Sequence, residues 1–83
     1  MSWNYRVIRK TNPHTETYFY HIHEVYYDDN KKIKSWSTKP MSPYGETPEE
    51  IKKDLTWMLL SCDKPILEEV VDNYIETLVE IKE

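Results

Sequence analysis

His21 and His23 stand two residues apart within Thr17 to Tyr27, a segment that is aromatic or β-branched at almost every position. On a strand that spacing puts both imidazoles on one face, a separation able to chelate Zn²⁺ or another transition metal. A site needs a third ligand, which His14, Asp28 or Cys62 would supply only through a coincidence of the fold. Structural or surface histidines are therefore the favoured reading, and neither metal nor cofactor is expected. Cys62 next to a histidine would make a thiolate nucleophile, but it falls on an apolar stripe near the end of a helix, where the dipole disfavours an anion. An inert, core or half-buried thiol is expected. Glu24, a carboxylate in the middle of the aromatic segment, would make a general acid if burial raised its pKa. Pairing with Arg6 or Arg9 across a sheet is the simpler expectation. No Ser-His-Asp order, Gly-rich phosphate loop or interpretable carboxylate pair is present, so the chain is expected not to be an enzyme.

Binding chemistry has two candidate sets. Met41 and Tyr44 stand between prolines in Lys39 to Gly45, a stiff loop whose ordering cost on binding would be small, and Trp36 lies just before it. Aromatic and Met side chains of this kind carry much of the energy in protein contacts. These three are the candidate partner-binding residues. Arg6, Lys10, Lys32 and Lys34 interleave with Trp3, Tyr5, Tyr20, Tyr27 and Trp36, the mix of a sheet that stacks single-stranded nucleic acid. The overall charge of −4 opposes that use, and most of the rings are needed for the core. Nucleic-acid binding is thus the alternative.

The elements that position these residues follow from periodicity. Trp3, Tyr5 and Val7 alternate with Asn4, Arg6, Ile8 and Lys10, which predicts a first strand over Trp3 to Lys10. Thr11 to His14 reverse the chain around Pro13. Thr17 to Tyr27 is a second strand, Tyr18, Tyr20, Ile22, Glu24 and Tyr26 on one face and Phe19, His21, His23, Val25 and Tyr27 on the other; with bulk on both faces it is expected at the centre of the sheet. Asp28 to Lys31 form a turn whose Asp and Asn tolerate positive φ. Lys32 to Thr38 is a third strand, with edge lysines that discourage edge-to-edge association.

Gly45, the single glycine, is expected at positive φ just before a helix. Thr47-Pro48-Glu49-Glu50 is a capping box: Thr at the N-cap, Pro at the first helical position, Glu three residues after the cap. Ile51, Leu55, Met58, Leu59 and Cys62 then form one stripe at helical period. Asp63 is a candidate cap for a second helix to about Lys82, in which Ile66, Leu67, Val70, Val71, Tyr74, Ile75, Leu78 and Val79 recur at helical intervals; the β-branched content leaves a terminal strand as the alternative.

The segments WNYRV at the start, EVYYD at Glu24 to Asp28, Trp36, PYGET at Pro43 to Thr47, the helix positions Asp54, Leu55 and Met58, and DKP at Asp63 to Pro65 together resemble a family of small bacterial proteins with no established activity. The resemblance spans roughly residues 3 to 68 and rests on structural motifs. It implies the fold class and no catalytic residue.

Eighty-three residues allow one hydrophobic core, hence a single domain over 1–83: a β-meander at 1–38, a Pro/Gly loop at 39–46 and a helical part at 47–83. The expected fold is α+β, a three-stranded antiparallel meander followed by two helices packed on one face (βββαα). A single cysteine, no signal-like start and no apolar run longer than Trp57 to Leu60 point to a cytoplasmic protein without a membrane span. Residues 1–40 carry seven basic and four acidic side chains, whereas 41–83 carry four and eleven. A small non-enzymatic binding or regulatory module is expected, acting through a protein partner or self-association. So small a core would gain stability from a homodimer.

Overall fold

The computed structural model describes residues 2 to 81. Its elements are β1 (Ser2–Asn12), β2 (Thr17–Tyr27), β3 (Ile33–Trp36), α1 (Pro48–Ser61), β4 (Leu67–Asp72) and β5 (Ile75–Glu80), and the strands form one sheet in the order β3-β2-β1-β4-β5. β1 and β2 pair antiparallel along their whole length, from Ser2 opposite Tyr27 to Asn12 opposite Thr17. The reversal between them uses Asn12, whose Oδ1 accepts from the His14 N–H at 3.0 Å, and Glu16 at φ 56°. Asp28 organises the next turn by accepting from the Asn30 and Lys32 amides; the positive φ falls on Lys31, not on the Asp or Asn.

The expected βββαα order is wrong beyond α1. The chain passes through the helix and returns as β4, which lies parallel to β1 at Ile8 and Arg9, so β1 and not β2 is the central strand. β5 then folds back antiparallel on β4, with Asp72 opposite Ile75. The second helix is therefore a hairpin, and the fold is a mixed five-stranded sheet with one helix. Asn73 and Tyr74, at φ 51° and 66°, are its two turn residues, as a type I′ hairpin requires. Apolar doublets every four residues, Ile66-Leu67, Val70-Val71, Tyr74-Ile75 and Leu78-Val79, imitate a helical stripe. β-branched Val70, Val71, Ile75 and Val79 fit a pleated surface better than a helix. The helical end expected at Lys82 lies outside the described residues.

The helix start agrees with its sequence. Thr47 Oγ1 accepts from the Glu50 amide at 3.2 Å, Pro48 occupies the first turn, and the Glu50 carboxylate accepts from the Glu46 amide at 2.8 Å, one residue earlier than in the usual box. Gly45 has no positive φ; a Cβ there would sit 2.6 Å from the Ile51 nitrogen, so close approach of the loop to the helix is what demands glycine.

The sheet curls until β3 approaches β4 on its concave side, where the Trp36 indole N–H donates to Glu69. Inside the curl lie Ile8, Val25 and Leu67, with Tyr27, Ile33, Trp36 and Leu78 packed around them. On the convex side α1 crosses β1, burying Tyr5, Met58 and Ser61. Asp54 pins this layer: one carboxylate oxygen accepts from the Tyr5 hydroxyl at 2.6 Å and the other from the Tyr44 amide at 2.9 Å. No helix among the described residues is long and apolar enough to cross a membrane.

Candidate functional site

The free edge of β2 is the site's foundation. β3 covers β2 only at Val25 to Tyr27. Two loop bonds continue the cover, from the Ser37 amide to Glu24 O and from the Met41 amide to Ile22 O. Beyond Ile22, among the described residues, no strand or loop pairs with Thr17 to His21 on the side away from β1. In an extended strand backbone groups alternate sides, so those of Tyr18 and Tyr20 point the same way as those of Ile22 and Glu24, outward.

An open cleft of about 610 Å³ lies beside that edge, between α1, the proline loop and the convex sheet face. Val7 and Ile22 form its floor, Leu55, Met58 and Leu59 the helical wall, and Met41 the loop wall. Only Met58 of the helical stripe is buried; Leu55 is 47% and Leu59 70% exposed. Cys62, expected in the core or half-buried, is exposed at the cleft's end. Chemically the cleft offers apolar contact and strand hydrogen bonding.

The three expected partner-binding residues are not one patch. Met41 lines the cleft, while Tyr44, 69% exposed, lies across α1 beside Asp54 and Trp57. Trp36 is inside the curl on the other side of the sheet, bound to Glu69. The four basic candidates are likewise divided. Arg6 donates to the Tyr27 hydroxyl and Pro65 O. Lys10 lies 3.5 Å from Glu69, and Lys32 is in the turn before β3. Lys10, Lys34 and Trp36 share a concave cavity of about 440 Å³, but Glu69 and Glu76 line it too, so its charge is mixed.

The histidines are neighbours without forming a chelate: their ring centroids are 6.5 Å apart and the planes nearly perpendicular. His23 is fully buried, with Nδ1 2.9 Å from Ser37 O, so that nitrogen carries the proton and Nε2 is left without a partner. Burial pushes the His23 pKa down, the Ser37 contact opposing it in part. Among the described residues no three His, Cys, Asp or Glu side chains are grouped to hold a metal. Glu24 meets neither arginine: it accepts from the Tyr26 hydroxyl of its own strand, while Arg9 pairs with Glu68 at 2.9 Å and stacks over Tyr18.

Compared with known proteins, the chain matches no family model, no curated protein and no solved structure.

Sequence reasoning passed over three features: Asp54 as the tie between layers, the outward Leu55 and Leu59, and the bare edge of β2. The edge had a signal. Thr17 to Ile22 holds no Asp, Glu, Lys or Arg, the residues that usually guard an exposed strand.

Proposed function

We propose that this chain is a non-enzymatic binding module whose contact surface is the apolar cleft and the adjoining edge of β2. One observation carries the reading: Leu55, Leu59 and Tyr20 are exposed together around a cleft of about 610 Å³. Contiguous apolar surface of this kind is costly to leave in water and marks contact sites on small proteins. Nucleic acid is disfavoured because the basic candidates are divided, and the two that share a cavity, Lys10 and Lys34, share it with Glu69 and Glu76. An exposed lone thiol at Cys62 is in keeping with a reducing, cytoplasmic setting.

The test is affinity capture from bacterial lysate with and without nuclease, comparing the wild-type chain with Leu59→Lys and Met41→Ala. Proteins retained through moderate salt by the wild type and lost from both variants are expected. Retention unchanged by either substitution contradicts the reading. So does retention that vanishes with nuclease and falls steeply with salt, the mark of phosphate contacts.

A further inference from the structure

Taking the binding-module reading as its basis, we infer that the partner at this surface is a second copy of the same chain, joined through the free edge of β2. Tyr18 of each copy pairs with Tyr20 of the other across a two-fold axis at Phe19.

Surface area supplies the first argument. The chain exposes 6697 Å². A compact monomer of its 10.1 kDa would expose roughly 5,300 Å². The excess, about 1,400 Å², is more than the ~800 Å² that each partner contributes to a standard stable interface. The radius of gyration agrees, at 13.8 Å against about 12 Å for a compact chain of this length.

Charge selects the edge. An interface around a two-fold axis sets each residue against its own kind or a near neighbour, so unpaired like charges at its centre are excluded. β5, the other long edge, carries Glu76 and Glu80 and belongs to a hairpin whose charged residues, Glu68, Glu69, Asp72, Glu76 and Glu80, are all acidic. β3 carries Lys34 and follows Lys32. Thr17 to Ile22 is free of such charges and is the edge that tolerates its own copy.

Hydrogen bonding selects the register. Ile22 O is occupied by the Met41 amide, so among the described residues Tyr18 and Tyr20 are the ones on this edge that offer both an outward N–H and an outward carbonyl. Pairing Tyr18 with the partner's Tyr20, and the reverse, uses both amides and both carbonyls of each copy. Phe19 then faces its own copy in a non-hydrogen-bonded pair, with Cα atoms about 4.5 Å apart. Side chains of directly paired residues share a face. Tyr18 and Tyr20 of both copies therefore gather on the convex side, next to the cleft formed by Leu55, Leu59 and Met41, and close it from outside.

Light scattering during size exclusion on the full chain, with three variants, tests this. The wild type is expected at twice the mass of one chain. Tyr20→Pro removes an outward N–H without touching the β1 ladder, where proline is tolerated, and is expected to run as a monomer. Leu59→Lys places a charge at an exposed position and is expected to give a monomer with an unchanged circular dichroism spectrum. Phe19→Cys in a Cys62→Ser background is expected to form an intermolecular disulfide on mild oxidation, because its Cβ atoms meet at the axis. A monomeric wild type, a dimer surviving both Tyr20→Pro and Leu59→Lys, or a Phe19→Cys that does not cross-link overturns the proposal. A monomeric wild type that still captures other proteins through Leu59 leaves the binding-module reading standing, so the two fail separately.

Discussion

Asp54 does more for the convex layer than its place on a solvated helix face suggests, because it accepts from β1 and from the loop at once. Replacing it with Ala leaves the buried Tyr5 hydroxyl without its acceptor, and a destabilisation of about 1–3 kcal/mol in urea unfolding is expected, against less than about 1.5 for Tyr5→Phe. The same contact makes stability depend on alkali. Burial and then the Asp54 carboxylate push the Tyr5 pKa above its ordinary value near 10. The folded state holds that proton more tightly than the unfolded one, so the contribution is complete below pH 10 and is lost as pH rises beyond it. Loss of stability above pH 10, flattened in Tyr5→Phe, is the expected outcome of unfolding measured across pH. His23 acts at the acid end. Its pKa lies below the ordinary value near 6.5, so its contribution is present above 6.5 and is lost as pH falls through the folded value. A His23→Gln chain is expected to lose that acid slope.

At the level of elements, the single helix and the hairpin after it show how far local rules reach. The helix start was legible because Thr47, Pro48 and Glu50 act within one turn, and Thr47→Ala is expected to cost about 0.5–2 kcal/mol by chemical denaturation. Gly45→Ala is expected to cost about 1–3 kcal/mol, since the added methyl meets backbone rather than a movable side chain. The first two strands are legible from alternation, which a fully paired hairpin preserves, but which face of β1 is buried is not: Ile8, on the face with Asn4, Arg6 and Lys10, is fully buried while Trp3 is exposed. The last hairpin was not, for two physical reasons. Its turn puts Tyr74 at φ 66°, where an Asn-Gly pair would have announced the reversal. Its apolar doublets satisfy helical spacing, and what decides for strands is the parallel pairing of Leu67 with Ile8, a contact across 59 residues that no local rule contains. Leu67→Ala, which opens a cavity beside Ile8 and Val25, is expected to cost about 2–5 kcal/mol in the same assay.

For the whole molecule, two thin cores account for both the fold and its exposed apolar surface. The curl hides Ile8, Val25 and Leu67, and the helix hides little beyond Tyr5 and Met58, so Leu55, Leu59 and the aromatic end of β2 stay outside. The site is partly legible: Met41 stands out in the sequence for its place in the stiff loop. Tyr44 and Trp36 are near it in sequence, yet the helix and the sheet separate them in space. The free edge itself depends on how short β3 is, which the run Lys32 to Thr38 concealed by continuing the alternation past Trp36. The most direct measurement is amide hydrogen exchange at residue resolution on the wild-type chain, as a dilution series. Slow exchange at Tyr18 and Tyr20 that turns fast on dilution, with the edge amides of β5 fast throughout, is the predicted result. Fast exchange at Tyr18 and Tyr20 at every concentration, or concentration-dependent protection along Ile75–Glu80 in their place, would contradict it.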